Sequence, residues 1–141
     1  MKIIYAFFLA VLFLQCDMKK QNQKIDDITP GLGEYMAIVE YHHNNLSAAI
    51  KKQNYQRADY ELDELMEVFE TMQKLHNNHE KLSQPLEMLL PQFMYSKIEN
   101  IRAKIKTKDS ISVKNAFKEL TNNCNSCHAV NKMEFIIVEN D

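Results

Sequence analysis

Val113-Lys114-Asn115-Ala116-Phe117-Lys118-Glu119-Leu120-Thr121-Asn122-Asn123-Cys124-Asn125-Ser126-Cys127-His128 places Val113, Phe117, Leu120, Cys124 and Cys127 in alternating steps of four and three. That spacing keeps one side chain per turn on a single face, the pattern of a helix laid against a bundle. Asp109 or Ser110 can cap its start. The two cysteines continue the core-facing stripe. After His128 the periodicity fails, and the short apolar run Phe135-Ile136-Ile137-Val138 is expected to fold back over apolar surface.

Three earlier segments repeat the pattern. In the first, Leu32, Met36, Val39, His43, Leu46 and Ile50 alternate by four and three, with His43 the one polar-capable member of the seam. The second runs Tyr55, Ala58, Leu62, Leu65, Phe69, Met72 and His76, and the pattern assigns Glu61, Asp63, Glu64, Glu67 and Glu70 to its outer faces. Only a turn near Gln53 and Asn54 separates the two, which predicts antiparallel neighbours. Residues 77–91 read as a connection, with Pro91 suited to the first turn of a third helix carrying Met94, Ile98, Ile101 and Ile105. Two Gly, three Pro and no Trp in 141 residues leave few turn signals. The predicted fold is therefore an all-α antiparallel four-helix bundle.

Before the bundle, Met1-Lys2 and the apolar run Ile3–Leu14 have the charge and length of a signal peptide and are too short for an ordinary spanning helix. The sequence thus divides into a signal peptide at 1–15, a polar tether at 16–30, a bundle at 31–130 and a tail at 131–141. Cys16 follows Phe13-Leu14-Gln15, a context that resembles a bacterial lipobox, although Gln15 is larger than the small residue such sites place before the cysteine. A lipid anchor at Cys16 and a periplasmic or other extracytoplasmic location follow as expectations.

Cys124-Asn125-Ser126-Cys127-His128 is a C-x-x-C-H sequence, the pattern of c-type haem attachment. Two thiols three residues apart can reach the two vinyl groups of a porphyrin while the next residue offers an imidazole to the iron. Three other readings compete. Two buried cysteines beside a surface histidine need no function at all. A thioredoxin-like pair would want a helix N-terminus, and here some fifteen helical residues precede it. A structural zinc would need a fourth ligand from His76 or His79. For the distal side of a haem, Met36 is the first candidate ligand and His43 the second, with an open position the remaining option. Glu40-x-x-His43 matches half of a di-iron pattern that has no second copy here.

The 17 basic and 19 acidic side chains give a net charge of −2, with no basic patch to favour nucleic acid. Residues 32–128 resemble the cytochrome c′-type four-helix c-type cytochromes, which carry C-x-x-C-H in the last helix of a secreted bundle. Gly31-Leu32-Gly33-Glu34-Tyr35-Met36, His43, the stretch 58–65, and Leu120-Thr121 before the motif also look like those of a group of small exported bacterial haem proteins. The resemblance implies one covalent haem c on Cys124 and Cys127, His128 as proximal iron ligand, and a single-electron carrier that meets a redox partner protein. It implies no enzymatic reaction. A gas-binding module for nitric oxide or carbon monoxide is the alternative. Bundles of that type often pair through their first helices, and Ile38, Tyr41 and Ala49 are available for a homodimer or equally for packing within the bundle.

Overall fold

Residues 29–139 are described by a computed structural model, and among them every regular element is helical. The leader and the greater part of the tether, including Cys16, lie outside the described residues. Helix α1 is Leu32–Lys51, α2 is Tyr55–His76, α3 is Leu86–Leu90, α4 is Ser96–Thr107 and α5 is Ser110–Val130. A π-helical turn, Pro91–Tyr95, joins α3 to α4 without leaving the right-handed helical region, so these three segments form one rod and the architecture is four-helical.

The helix starts follow local chemistry. Asn54 Oδ1 accepts the Arg57 amide at 3.1 Å, which caps α2. Of the two caps the sequence offered for the last helix, Asp109 is used: its carboxylate accepts the Ile111 amide at 3.1 Å and the Ser112 hydroxyl at 2.6 Å. Those bonds to the charged form hold the Asp109 carboxyl below its ordinary range. Helix ends are less conventional. Gln53, Lys108 and Lys132 each adopt a left-handed conformation, with φ of 54°, 56° and 59°, in places where glycine is the usual choice.

Pro91 does not open the third helix. That helix starts at Leu86, after Pro85, and Pro91 stands within it. A proline there has no N–H for the Glu87 carbonyl and its ring crowds that carbonyl, and a wider turn relieves both problems. The consequence is local but useful, because Phe93 and Met94 of the turn are buried.

The seams meet as their periods require. Val39, Leu46, Ile50, Ala58, Leu62, Leu65, Phe69, Met72, Met94, Ile98, Ile101, Val113, Phe117 and Leu120 form one continuous core with Leu86, Leu89 and Leu90. Removing a leucine-sized side chain from water contributes about 1.5–3 kcal/mol, so this cluster supplies most of the drive to fold. Ile105 is only half buried. On the outside, Arg102 of α4 reaches Asp59 at 2.8 Å and Asp63 at 2.6 Å on α2.

One assignment made from periodicity is overturned. Glu61 is fully buried and not on an outer face: His42 Nδ1 lies 2.8 Å from one carboxylate oxygen, and the Arg57 guanidinium holds the other. Position 61 lies at the edge of the stripe of α2, where α1 covers it with a histidine, and the buried carboxylate is tolerated because both its oxygens are paired. Of the three residues open to either a pairing face or the bundle interior, Ala49 packs in the core and Ile38 and Tyr41 reach solvent.

Candidate haem-attachment site

Burial falls along α5. Val113, Ala116, Phe117, Leu120 and Thr121 are buried, whereas Cys124 and Cys127, on the same face, are only partly covered. The same is true of the first turns of α1, where Leu32, Tyr35 and Met36 pack against the core without being enclosed by it. Tyr35 meets His76 at the end of α2, with ring centroids 5.6 Å apart.

The two thiols are not joined to each other. Cys124 Sγ faces Met94 Sδ at 4.0 Å, and burial pushes its thiol up to about 12. Burial also raises Cys127, opposed by the Asn131 side-chain amide 3.7 Å from its sulfur. Such thiols stay protonated at neutral pH and are poor nucleophiles in disulfide exchange. The cysteines also sit in the final turns of a 21-residue helix, where the helix dipole disfavours a thiolate.

His128 is held by the chain that follows it. The Met133 amide bonds back to the His128 carbonyl at 2.8 Å and the Lys132 amide to the Ala129 carbonyl at 3.0 Å, a pairing that closes the helix and turns the chain around at left-handed Lys132. The tail then runs back beside the last turns of α5. The Asn125 side chain donates to the Val138 carbonyl at 2.9 Å and accepts the Val138 amide at 2.8 Å. Between these points the Ile136 carbonyl stands 2.9 Å from His128 Nδ1. A carbonyl only accepts, so Nδ1 carries the proton, and in the neutral ring Nε2 presents the lone pair. The tail does fold back, but through backbone bonds; Phe135 and Ile137 keep their side chains in solvent, 78% and 67% exposed.

Among the described residues no three His, Cys, Asp or Glu side chains converge to hold a bare metal ion. The donors of the motif instead spread along one helix flank. That set suits a porphyrin, which takes sulfur at its edge and nitrogen at its centre, and an imidazole with Nδ1 fixed by a carbonyl is the usual form of a metal-binding histidine. On this chemistry the residues fit a covalently held haem.

The two candidate distal ligands lie in different surroundings. Met36 is half buried at the loosely covered start of α1. His43 is deep in the core, 3% exposed, beside the Phe117 ring at 4.8 Å between centroids. Its Nε2 lies 2.8 Å from the Thr121 hydroxyl, which itself donates to the Phe117 carbonyl at 3.3 Å. The hydroxyl's proton is thus committed, so His43 Nε2–H donates and Nδ1 keeps a buried lone pair with no partner. Desolvation lowers the His43 pKa, with Asn44 and Glu40 opposing in part.

Periodicity missed two features of this end. Asn125 lies inside the motif, at a position the pattern leaves free, and its partner Val138 is thirteen residues away. Asn131 accepts the Ser83 amide at 2.7 Å and donates to the Cys127 carbonyl at 2.7 Å, which ties the connection before α3 to the motif. Asparagines in both places are the only hint the sequence offers. No family model matches the chain, and neither the curated proteins nor the solved structures give a match.

Proposed function

We propose that the chain is an exported c-type cytochrome, an antiparallel four-helix bundle of the cytochrome c′ type that carries single electrons in the bacterial periplasm. The observation that carries this reading is the C-x-x-C-H sequence in the last turns of α5 with its histidine fixed as the Nδ1–H tautomer by the Ile136 carbonyl.

A bound haem would supply a one-electron iron couple. Cys124 and Cys127 would hold it through thioethers, and His128 would offer Nε2 to the metal. The carbonyl on Nδ1 keeps the ring from turning and makes it a better donor. Met36, at the partly covered start of α1, is the first candidate for a second iron ligand, and its thioether would raise the potential. His43 is less suited as it stands, because its Nε2–H is engaged by Thr121. Leu32 and Tyr35, partly buried against the core, would offer apolar surface to help exclude water from the haem.

The test is the absorption spectrum of the protein made in a cell equipped for haem attachment, oxidised and reduced, with and without carbon monoxide. A covalent, low-spin haem indifferent to the gas is expected, and Met36→Leu should turn it high-spin. A high-spin spectrum that shifts with carbon monoxide would favour the gas-binding alternative. Absence of covalent haem would sink both.

A further inference from the structure

We infer that the tail 133–138 is a strap that sets the electronic character of His128, and that Asn125 is the positioning residue that ties it down. The inference rests on the haem reading above and deepens it. The strap is built from three contacts. Lys132 reverses the chain, the Met133 amide closes on the His128 carbonyl at 2.8 Å, and Asn125 then grips both backbone groups of Val138 at 2.8 and 2.9 Å. A side-chain amide that pairs with both the N–H and the C=O of one residue imitates a strand partner, and fixes position as well as distance. Two residues before that grip, the Ile136 carbonyl is delivered to His128 Nδ1 at 2.9 Å.

The arrangement is hard to explain as packing. Phe135 and Ile137 point their apolar side chains at solvent, so the segment is not held by burying them. What the segment does bring inward is a carbonyl, to the one ring nitrogen whose hydrogen bond decides how strongly the other nitrogen donates. Asn125 occupies a free position of the motif and contributes no thiol and no ligand, so its effect must pass through His128.

The experiment uses the full chain loaded with haem, comparing the unaltered protein with Asn125→Ala and with a chain ended after Met133, which retains the helix closure but lacks Ile136. Three quantities are read: covalent haem content, midpoint potential by spectroelectrochemistry, and solvent exchange of the His128 Nδ1 proton by NMR. Haem content should be unchanged. The potential should move upward in both variants, because a histidine without its carbonyl partner stabilises ferric iron less, and the ring proton should exchange faster. Combining Asn125→Ala with the truncation should add nothing to the truncation alone, since both remove one contact. Loaded variants whose potential and proton exchange match the unaltered protein would overturn the inference while leaving the cytochrome reading intact. Loss of haem loading in both variants would show a part in assembling the domain and would equally overturn it. An unaltered protein without covalent haem would remove the reading it rests on.

Discussion

The two halves of α5 follow one period and have different surroundings. From Val113 to Thr121 the seam is closed on every side, and the facing half of α1, with Leu46 and Ile50, is equally buried. From Cys124 to His128 the same face is partly open, as is the start of α1 at Leu32 and Met36. The closed half spends its side chains on packing; the open half carries the thiols, the imidazole and the polar clamps. A single helix can thus be anchored by one end and present chemistry at the other.

Truncation in each half tests that division most directly. Leu46→Ala removes a fully buried side chain and should destabilise by about 2–5 kcal/mol, whereas Leu32→Ala at the open end should stay below about 1 kcal/mol. Urea unfolding of the two variants measures both. Equal losses would mean the ends are packed alike and would break the comparison. Next in size is Thr121→Val, which keeps the shape but leaves His43 Nε2–H buried without an acceptor, a loss of about 1–3 kcal/mol. The pair His43→Leu with Thr121→Val should recover much of it, because both partners of the bond are then gone.

Reading from residues reached the closed half well and the open half poorly, for a physical reason. Apolar period reports which face is buried, and all four seams met as their spacing required. It is blind to partners on other elements. Glu61 looked like one more acidic residue of an outer face because its partners are Arg57 one turn before it and His42 nineteen residues upstream. Pro91 looked like a helix start because a proline seldom lies inside a helix, and only the π-helical turn shows how this one does. The C-x-x-C-H spacing was itself legible at Cys124, Cys127 and His128, and the haem chemistry it suggests is the proposal made above. The carbonyl that fixes His128 was not, because a backbone group leaves no mark in the side-chain pattern.

The closed half also predicts a pH response. Burial lowers the His43 pKa from 6.5, so the unfolded chain takes up that proton first as pH falls. Stability is therefore undiminished by this group above pH 6.5, declines as pH drops below it, and stops declining once the folded-state pKa has been passed. Urea midpoints of the unaltered protein and of His43→Leu, measured between pH 7.5 and 5 and compared as a difference, should show the unaltered protein losing ground relative to the variant as pH falls. A constant difference would mean that His43 takes up its proton as readily inside the fold as outside it.

The smallest effects come from the left-handed helix ends, and they separate the halves by where the gain appears. The chain has two glycines and uses neither at the positive-φ positions Gln53 and Lys132. Glycine there relieves a steric penalty of about 1 kcal/mol against the greater freedom it gives the unfolded chain, for a net gain of some tenths of a kcal/mol up to about 1. Gln53 sits in the turn between α1 and α2, whose packing is lost only on global unfolding, so Gln53→Gly should raise the urea midpoint. Lys132 precedes a tail whose Phe135 and Ile137 are exposed, so few buried contacts oppose its opening apart from the bundle. Lys132→Gly should leave the midpoint nearly unchanged and slow hydrogen exchange at the Met133 and Val138 amides, whose acceptors are the His128 carbonyl and Asn125 Oδ1. If Lys132→Gly raised the midpoint as much as Gln53→Gly, the tail would have to unfold together with the bundle. The open end would then be a cooperative part of the core, unlike the separately opening strap that its hydrogen bonds describe.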